Sequence, residues 1–497
     1  MTRINTNVQS LIAQRSLGIN NRSLNTALQR LSSGLRINSG RDDPAGLIAS
    51  ETLRSSIRAI STAIDNAVRA DTIVAVAEGG LQEISSLLLG LENLVDQSAN
   101  EAGVTPEEIA ANQLQIDSIL QSIDRLAQAT AFGNKKLLNG AFAFTTSGIN
   151  ITEATGASVN HLDAVQINSA KIPAGSFRTV NLTVVTRSEV AIVSAVGAGT
   201  TGAGANPLNG TLAAATTIQV RGNFGADTIS FASGATAANI VSAVNASKDL
   251  TGVSATASAA SGGSTSVVFQ STTYGADAFV SISVLENATT AFVSQAADVK
   301  DFGANGTVTV NGASAIVNGL DVSVRAGTLS ADMTLTSAFG SVAGGTTSFE
   351  VTGGGAIFSI SPTVGLSGQE TIGIEELSAA KLGNASVGFL TTLKSGLAND
   401  LSKKNFATAQ RIVRAAINEV ASLRGRLGAF QKDTLATTIN SLQIARENVT
   451  AAESAIRDAD FALETSNLTR AQILVSSSTS VLQLANAQPQ NALALLG

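Results

Sequence analysis

Two adjacent carboxylates, Asp42 and Asp43, and a single histidine, His161, are the side chains with which acid–base or metal chemistry could begin. A carboxylate pair can share a proton or hold a cation. A histidine zinc site or a histidine-dependent triad would rest on His161 alone, whereas such sites need several positioned ligands or relay partners. The zinc-protease helix His-Glu-x-x-His needs two histidines and is excluded. Cysteine is absent, which removes disulfides, thiol nucleophiles and thiolate metal sites together. The glycine-rich stretches 197–210 and 351–356 lack the Gly-Lys-Ser/Thr signature of a phosphate loop and read as loops. With no Trp and one Tyr, a sugar-stacking site would depend on Phe, and no acidic, aromatic or histidine cluster converges in the middle of the chain. The chain therefore reads as a non-enzyme, without catalytic, cofactor-binding or metal-ligating residues.

The elements that would position any site come from an unusual composition. Hydrophobic residues make up 44% of the 497 positions and charged residues only 14%, with 45 Gly and 6 Pro. Length alone suggests roughly two to four domains. A net charge of −6 and a pI near 5.1 argue against nucleic acid as a partner, because phosphate neutralisation needs a basic stripe. Mean hydropathy is +0.24, yet Arg, Asp or Glu interrupts the apolar runs before they reach about 18 residues, so no membrane insertion is expected. The first residues, MTRINTNVQSLIAQRSLG, carry no apolar h-region with a small-residue cleavage site, so no cleaved signal peptide is expected.

Hydrophobic period divides the chain into three blocks, helical over 1–140, strand-like over about 141–374 and helical again over roughly 375–497. Leu24, Leu28, Leu31 and Leu35 recur at steps of four, three and four and form a seam on one helical face. Turn formers break the pattern in GLRINSGRDDPAG (34–46), and helical spacing resumes over 57–99. Thr105-Pro106-Glu107-Glu108 predicts a capped restart, with proline in the first turn and a reciprocal glutamate. Near the other end Ile412, Ala416, Val420, Leu423 and Leu427 share a face, followed by Leu435, Ile439, Leu442, Val449 and Ile456. A last helix is predicted from about Leu468 to Ala485, carrying Leu474, with Pro489 as an interruption. Between the blocks, TVNLTVVT, TIQVRG, DTISFAS, STSVVFQ, AFVSISVL and GTVTVNG alternate or are β-branched and read as strands.

The expected fold class is α+β multidomain, with long terminal α-helices forming a coiled-coil rod and a β-rich central outer region. The four leucines at 24–35 would contribute on the order of 6–12 kcal/mol if fully buried, as an upper bound. One thin helix cannot bury such a seam by itself. Two termini with the same type of seam suggest a pair joining the two ends of the chain, completed by neighbouring copies. Periodicity alone equally allows an ordinary helical bundle with a β insertion.

At GLRINSGRDDPAG (34–46) the sequence resembles bacterial flagellin. The likeness extends to MTRINTNVQSLIAQRSL, DQSAN (96–100), SIDRLAQATAFGNKKLLNG (122–140), AAESAIRDADFALE (451–464), LTRAQIL (468–474) and QPQNALALL (488–496). Phe132-Gly133-Asn134 departs from the family's usual order in a turn. More weakly, 216–258 resembles a flagellin hook IN module of two strands, a helix and a returning strand.

The resemblance implies a hollow extracellular filament that propels the cell when a rotary motor turns it. It assigns 1–40 to an N-terminal inner-tube helix and 41–140 to a connecting segment and rod helices. It further assigns 141–374 to a surface-exposed β region, 375–455 to a C-terminal rod helix and 456–497 to a C-terminal inner-tube helix. The implied assembly residues are Leu24, Leu28, Leu31, Leu35, Arg36, Asn38, Asp42, Asp43, Ile456, Arg457, Asp460, Leu474, Leu482, Leu493, Leu495 and Leu496. Asp42 and Asp43 are expected to make polar contacts with Arg36 and Arg41. The implied partners are further copies of the chain, the flagellar export apparatus, a cytoplasmic export chaperone at the C-terminus, and the filament cap and hook-junction proteins. Family members are recognised by a mammalian Toll-like receptor at positions matching Gly90, Leu94 and Gln115, two of which lack the family's charge here. O-linked sugars on the Ser/Thr-rich middle are a further family trait, although polar strand faces need none. The alternative within the structural class is a hook–filament junction protein.

Overall fold

The computed structural model describes residues 6–100, 102–152, 158–173, 176–195, 212, 215–259, 265–286, 298–384 and 387–494. The chain divides into two units, one made of Met1–Thr72, Ser359–Gly368 and Ala429–Gly497 and the other of Ile73–Phe358 and Gln369–Gly428.

The first unit is helical. Helix α1 (Val8–Ser33) starts at Asn7, whose side chain accepts the Ser10 amide, and stops at Gly34 in the left-handed region. Helix α2 (Pro44–Ser98) begins inside the stretch whose turn formers predicted a break, because Pro44 suits the first turn and Asp43 accepts the Gly46 amide at 2.9 Å. The α2 residues Ile60, Ala63 and Ile64 pack with Leu442 of a later helix introduced below.

The second unit joins helices to two β bodies. Helix α3 (Pro106–Ala129) carries the predicted capping box, with Thr105 and Glu108 bonded reciprocally. On α2, Val74, Ala77, Leu81, Ile84, Leu88 and Leu91 are fully buried at alternating steps of three and four. One window of α2 reaches a mean hydropathy of 1.3 and is long and apolar enough to cross a bilayer, contrary to the expectation from interrupted runs. Its apolar seam is packed inside the unit, and Glu78 and Glu92 on its flank pair with Arg424 and Arg414.

In one β body the antiparallel sheet 313–314, 307–310, 178–186, 346–354, 144–147 and the sheet 316–318, 321–326, 329–335, 162–170 each follow that spatial order. They share a core that includes Val180, Leu182, Val322, Met333 and Phe349. In the other, the sheet 226–231, 216–221, 279–286, 298–302 and the sheet 253–259, 265–274, 190–195 enclose Ile218, Val220, Phe269, Val280 and Ile282. Helix α4 (Ala237–Ala246) adds Ile240 and Val244 to that core. The central block thus holds two cores. His161, the lone histidine, stacks on Phe339 at 4.5 Å between ring centroids.

The C-terminal helices begin later than their pattern suggested. Residues 382–384 and 387–405 form short strands, turns and 3-10 segments, with Gly383, Gly388 and Gly396 at positive φ. Leu382, Leu390, Leu393 and Leu401 are buried there without belonging to an α-helix. Helix α5 (Phe406–Ala429) then carries Ile412, Ala416, Val420, Leu423 and Leu427 on its buried face. A further heptad step along that seam falls on Thr434, whereas the next buried residue is Leu435. A π-helical segment, Phe430–Ala436, absorbs the extra residue before helix α6 (Thr437–Arg457). Helix α7 (Phe461–Ala494) completes the chain.

Candidate assembly interface

Small residues let α1 and α7 approach closely along their length. Ser10, Ala13 and Ala27 of α1 and Ala471 and Ala485 of α7 are buried on the shared face. Polar contacts fix the register. Asn20 donates to Ser478 Oγ at 2.7 Å, Ser10 Oγ donates to Asn486 at 2.7 Å, and Arg30 pairs with buried Glu464 at 3.0 Å.

The predicted interruption at Pro489 does not occur. Proline lacks the N–H that would bond the carbonyl four residues earlier, here that of Ala485. That carbonyl instead accepts the side chain of Asn7 at 2.8 Å, and α7 continues to Ala494. One helix thus supplies the donor that the other lacks.

The α1–α7 seam differs from the leucine row read in the sequence. Leu24, Leu31 and Leu35 are half-buried, while Leu28 is 47% exposed because the small residues occupy the contact. Leu11 (61%), Ile473 (63%), Val481 and Leu484 (65%) remain exposed, as do Ile19 and Leu474 beside the groove between the two helices. Leu482 is half-buried. Leu493 lies in α7, but its side chain, and all of Leu495 and Leu496, fall outside the described residues.

The connecting segment is held to its C-terminal counterpart by backbone bonds. Leu35 and Asp458 form an isolated antiparallel bridge, Arg36 N donates to Arg457 O at 2.7 Å, and Ala459 N donates to Gly34 O at 2.9 Å. The Arg36 guanidinium donates to the Ile456 carbonyl, and Asn38 Nδ2 donates to Leu35 O at 3.1 Å. Arg457 and Arg54 both pair with Glu51, and the hydrogen bond from Arg54 leads in holding its carboxyl below the usual range.

Contrary to the expectation from the resemblance, Asp42 and Asp43 form no bond to Arg36 or Arg41 among the described residues; they serve the backbone. Asp42 Oδ2 accepts the amides of Asn38 and Ser39 and the Ser39 hydroxyl, and the Ser39 amide leads in lowering its pKa. Asp43 caps α2. Gly46 sits against that cap, where a Cβ would collide with the Asp43 carboxylate and lie 2.7 Å from Ile37 Cδ1. Asp460 accepts the Ala462 and Leu463 amides at the start of α7. Both acids of the pair are thus committed to chain geometry rather than to acid–base work.

In the second unit Gly90 and Leu94 are half-buried one turn apart on α2, and Gln115 is exposed on α3. A half-buried charge cluster there was not legible in the sequence. Glu419 of α5 accepts the Gly383 amide at 3.0 Å, and burial leads in pushing its carboxyl up to about 7. Burial likewise raises Glu375, with Arg426 opposing, and lowers Arg426. The β bodies also hold a polar cleft of about 420 Å³ that brings Asp163, Asp277, Asp321 and Tyr274 together, where the sequence offered no convergent cluster. No group of three or more His, Cys, Asp or Glu able to hold a metal occurs among the described residues.

A family profile described as the bacterial flagellin N-terminal helical region matches residues 4–143, and one described as the C-terminal helical region matches 411–496. A flagellin of Salmonella rubislaw is 31% identical over 511 aligned positions, covering 99% of each chain. A B-type flagellin of Pseudomonas aeruginosa is 29% identical over 513 positions, again covering 99% of each. Among solved structures, FliC from Burkholderia pseudomallei matches 73% of this chain and 98% of its own at 12% identity, with a TM-score of 0.23.

Proposed function

The chain belongs to the bacterial flagellin family, and from that premise we propose how its own residues make it a filament subunit. It is a structural protein that self-assembles into the extracellular flagellar filament used for swimming. The carrying observation is the α1–α7 pair, joined by a small-residue seam yet left with exposed leucines and isoleucines. In a polymer, neighbouring copies cover them. Each such side chain would gain about 1 kcal/mol or more on burial of its remaining surface.

In this reading residues 1–40 and 456–497 form the inner tube and 41–140 and 375–455 the surrounding rod. The β bodies within 141–374, including a hook IN-like module at 216–258, face solvent. Strands 216–221 and 226–231, helix α4 and the returning strand 253–259 support that module. Leu24, Leu28, Leu31, Leu35, Leu474 and Leu482 contribute to assembly, and Arg36, Asn38, Asp42, Asp43, Ile456, Arg457 and Asp460 set the connecting geometry. The chain leaves the cell through the flagellar export apparatus without a cleaved signal peptide, escorted by a chaperone at its C-terminus. Cap and hook-junction proteins contact its filament. It has no catalytic role, and the backbone duty of Asp42 and Asp43 supports this.

The test is polymerisation. Full-length protein with seeds should form long filaments, whereas chains lacking 1–35 or 470–497 should keep the β bodies folded and form none. Normal filaments from either truncation would overturn the assignment of assembly to the ends.

A further inference from the structure

We propose that the groove between α1 and α7 is an electrostatic seat for two carboxylates of a second copy of this chain, Asp458 and Asp460. The proposal rests on the filament-subunit reading and names the contact that gives the polymer its direction.

The charge on the paired helices is one-sided. Between them, α1 and α7 carry Arg15, Arg22, Arg30 and Arg470 against a single carboxylate, Glu464. Glu464 is consumed by Arg30 at 3.0 Å. A groove of about 530 Å³ runs between the helices, lined by Arg22, Arg30, Asn467 and Arg470 with Ile19 and Leu474 as apolar wall. Arg22 Nε donates only to Gly18 O of its own helix, at 3.2 Å. Neither Arg22 nor Arg470 makes an ion pair among the described residues.

The complementary charges lie in the same unit. Asp42, Asp458 and Asp460 are exposed and form no ion pair among the described residues. Of the neighbouring cations, Arg36 bonds the Ile456 carbonyl, Arg457 pairs with Glu51, and Arg41 is exposed without an ion pair among the described residues. Each is oriented by a local bond to one carboxylate oxygen: Asp42 Oδ2 from Ser39, Asp458 Oδ2 from Ser454 Oγ, and Asp460 Oδ1 from Ala462. The other oxygen of each has no hydrogen-bond partner among the described residues. These are acceptors already held in place, which lowers the ordering cost of a contact.

Asp458 and Asp460 form no ion pair with the arginines of their own groove among the described residues, whereas Asp42 already lies within the field of Arg30. Asp460 precedes Arg470 by ten helical residues, about 15 Å along the axis. A second copy shifted along the first can bring them together. Two grooves meeting face to face would oppose arginine with arginine. The charge pattern therefore disfavours a closed twofold dimer and favours head-to-tail addition, which is the symmetry of an open filament.

The experiment measures the critical concentration of seeded polymerisation of the full chain, at low and high salt, with circular dichroism as a check on monomer folding. Arg22→Glu with Arg470→Glu should raise the critical concentration about tenfold or more. Asp458→Lys should raise it as well. An equal mixture of the two variant chains should recover polymerisation, because each groove then meets an opposite charge, and a repaired fold cannot explain recovery on mixing. Unchanged polymerisation by the arginine variant, or a mixture no better than its components, would overturn the seat while leaving the filament reading intact. A wild-type chain that never polymerises on seeds would overturn both.

Discussion

Replacing Glu419 with Gln should make the second unit more stable above neutral pH and change it little in acid. Glu419 is half-buried on α5, accepts the Gly383 amide at 3.0 Å and has its carboxyl pushed up to about 7 from an ordinary 4.5. In the unfolded chain the proton leaves near the ordinary value, whereas the folded chain keeps it until the higher one. Between those values the folded state binds more protons, so stability falls as pH rises through the window and stays lower above it. A shift of that size corresponds to about 3 kcal/mol, and repacking of Arg426 and Glu375 around the new amide brings the expected gain to about 2 kcal/mol. Glutamine keeps the acceptor for Gly383 and never ionises. The assay is urea unfolding of the monomeric chain by far-ultraviolet circular dichroism, with wild type and Glu419→Gln compared at about pH 5 and about pH 8. The variant's midpoint should exceed wild type at the higher pH and approach it at the lower. Equal differences at both values, or a less stable variant in base, would refute a carboxylate made costly by burial.

Other substitutions probe the first unit and the receptor region. Gly46→Ala should destabilise the α2 start by about 2 kcal/mol, since its Cβ meets the Asp43 cap; faster amide exchange over 44–50 would report it. Asn7→Ala should leave the Ala485 carbonyl unpaired and cost about 1 kcal/mol, read as faster exchange near the C-terminal end of α7 with the β bodies unchanged. Ile473→Asp, at an exposed position, should block seeded filament growth without altering the monomer's circular dichroism, and normal growth would remove that face from the interface. Purified monomer should signal weakly through the mammalian flagellin receptor, because Gly90 and Gln115 carry no charge; reversing both to Arg and Glu should strengthen it, and robust wild-type signalling at low concentration would count against the assignment.

Local chemistry was legible in the sequence wherever one short stretch determined the outcome. The capping box at Thr105–Glu108, the strand 178–186 and the α5 seam all follow from neighbours within a few residues. Even the π segment is foreshadowed, because the buried positions shift by one residue between Leu427 and Leu435. What was hidden depends on distant partners. Pro489 reads as a helix break until Asn7 is seen supplying the missing donor. Leucines outrank alanines in any hydropathy count, so the row at 24–35 masked Ala13 and Ala27, whose small size is what permits the helix contact. Glu375, Glu419 and Arg426 look ordinary along the chain, and only the fold takes them partly out of water.

The chain departs for the β bodies along strand Asn139–Phe142 and comes back along Ile374–Glu376, and those two strands are hydrogen-bonded neighbours. To the helices of that unit, the two β bodies are therefore an excursion whose outgoing and returning strands pair at a two-stranded gate, Ser359–Gly368 grouping instead with the first unit. The entropy of closing a loop grows only with the logarithm of its length, so doubling the excursion costs about 0.6 kcal/mol. In closure entropy alone, lengthening the excursion beyond the gate costs less than the loss of one buried methyl group. The segment beyond the gate can lengthen, or carry a foreign domain grafted into it, at little cost in closure entropy to the helices.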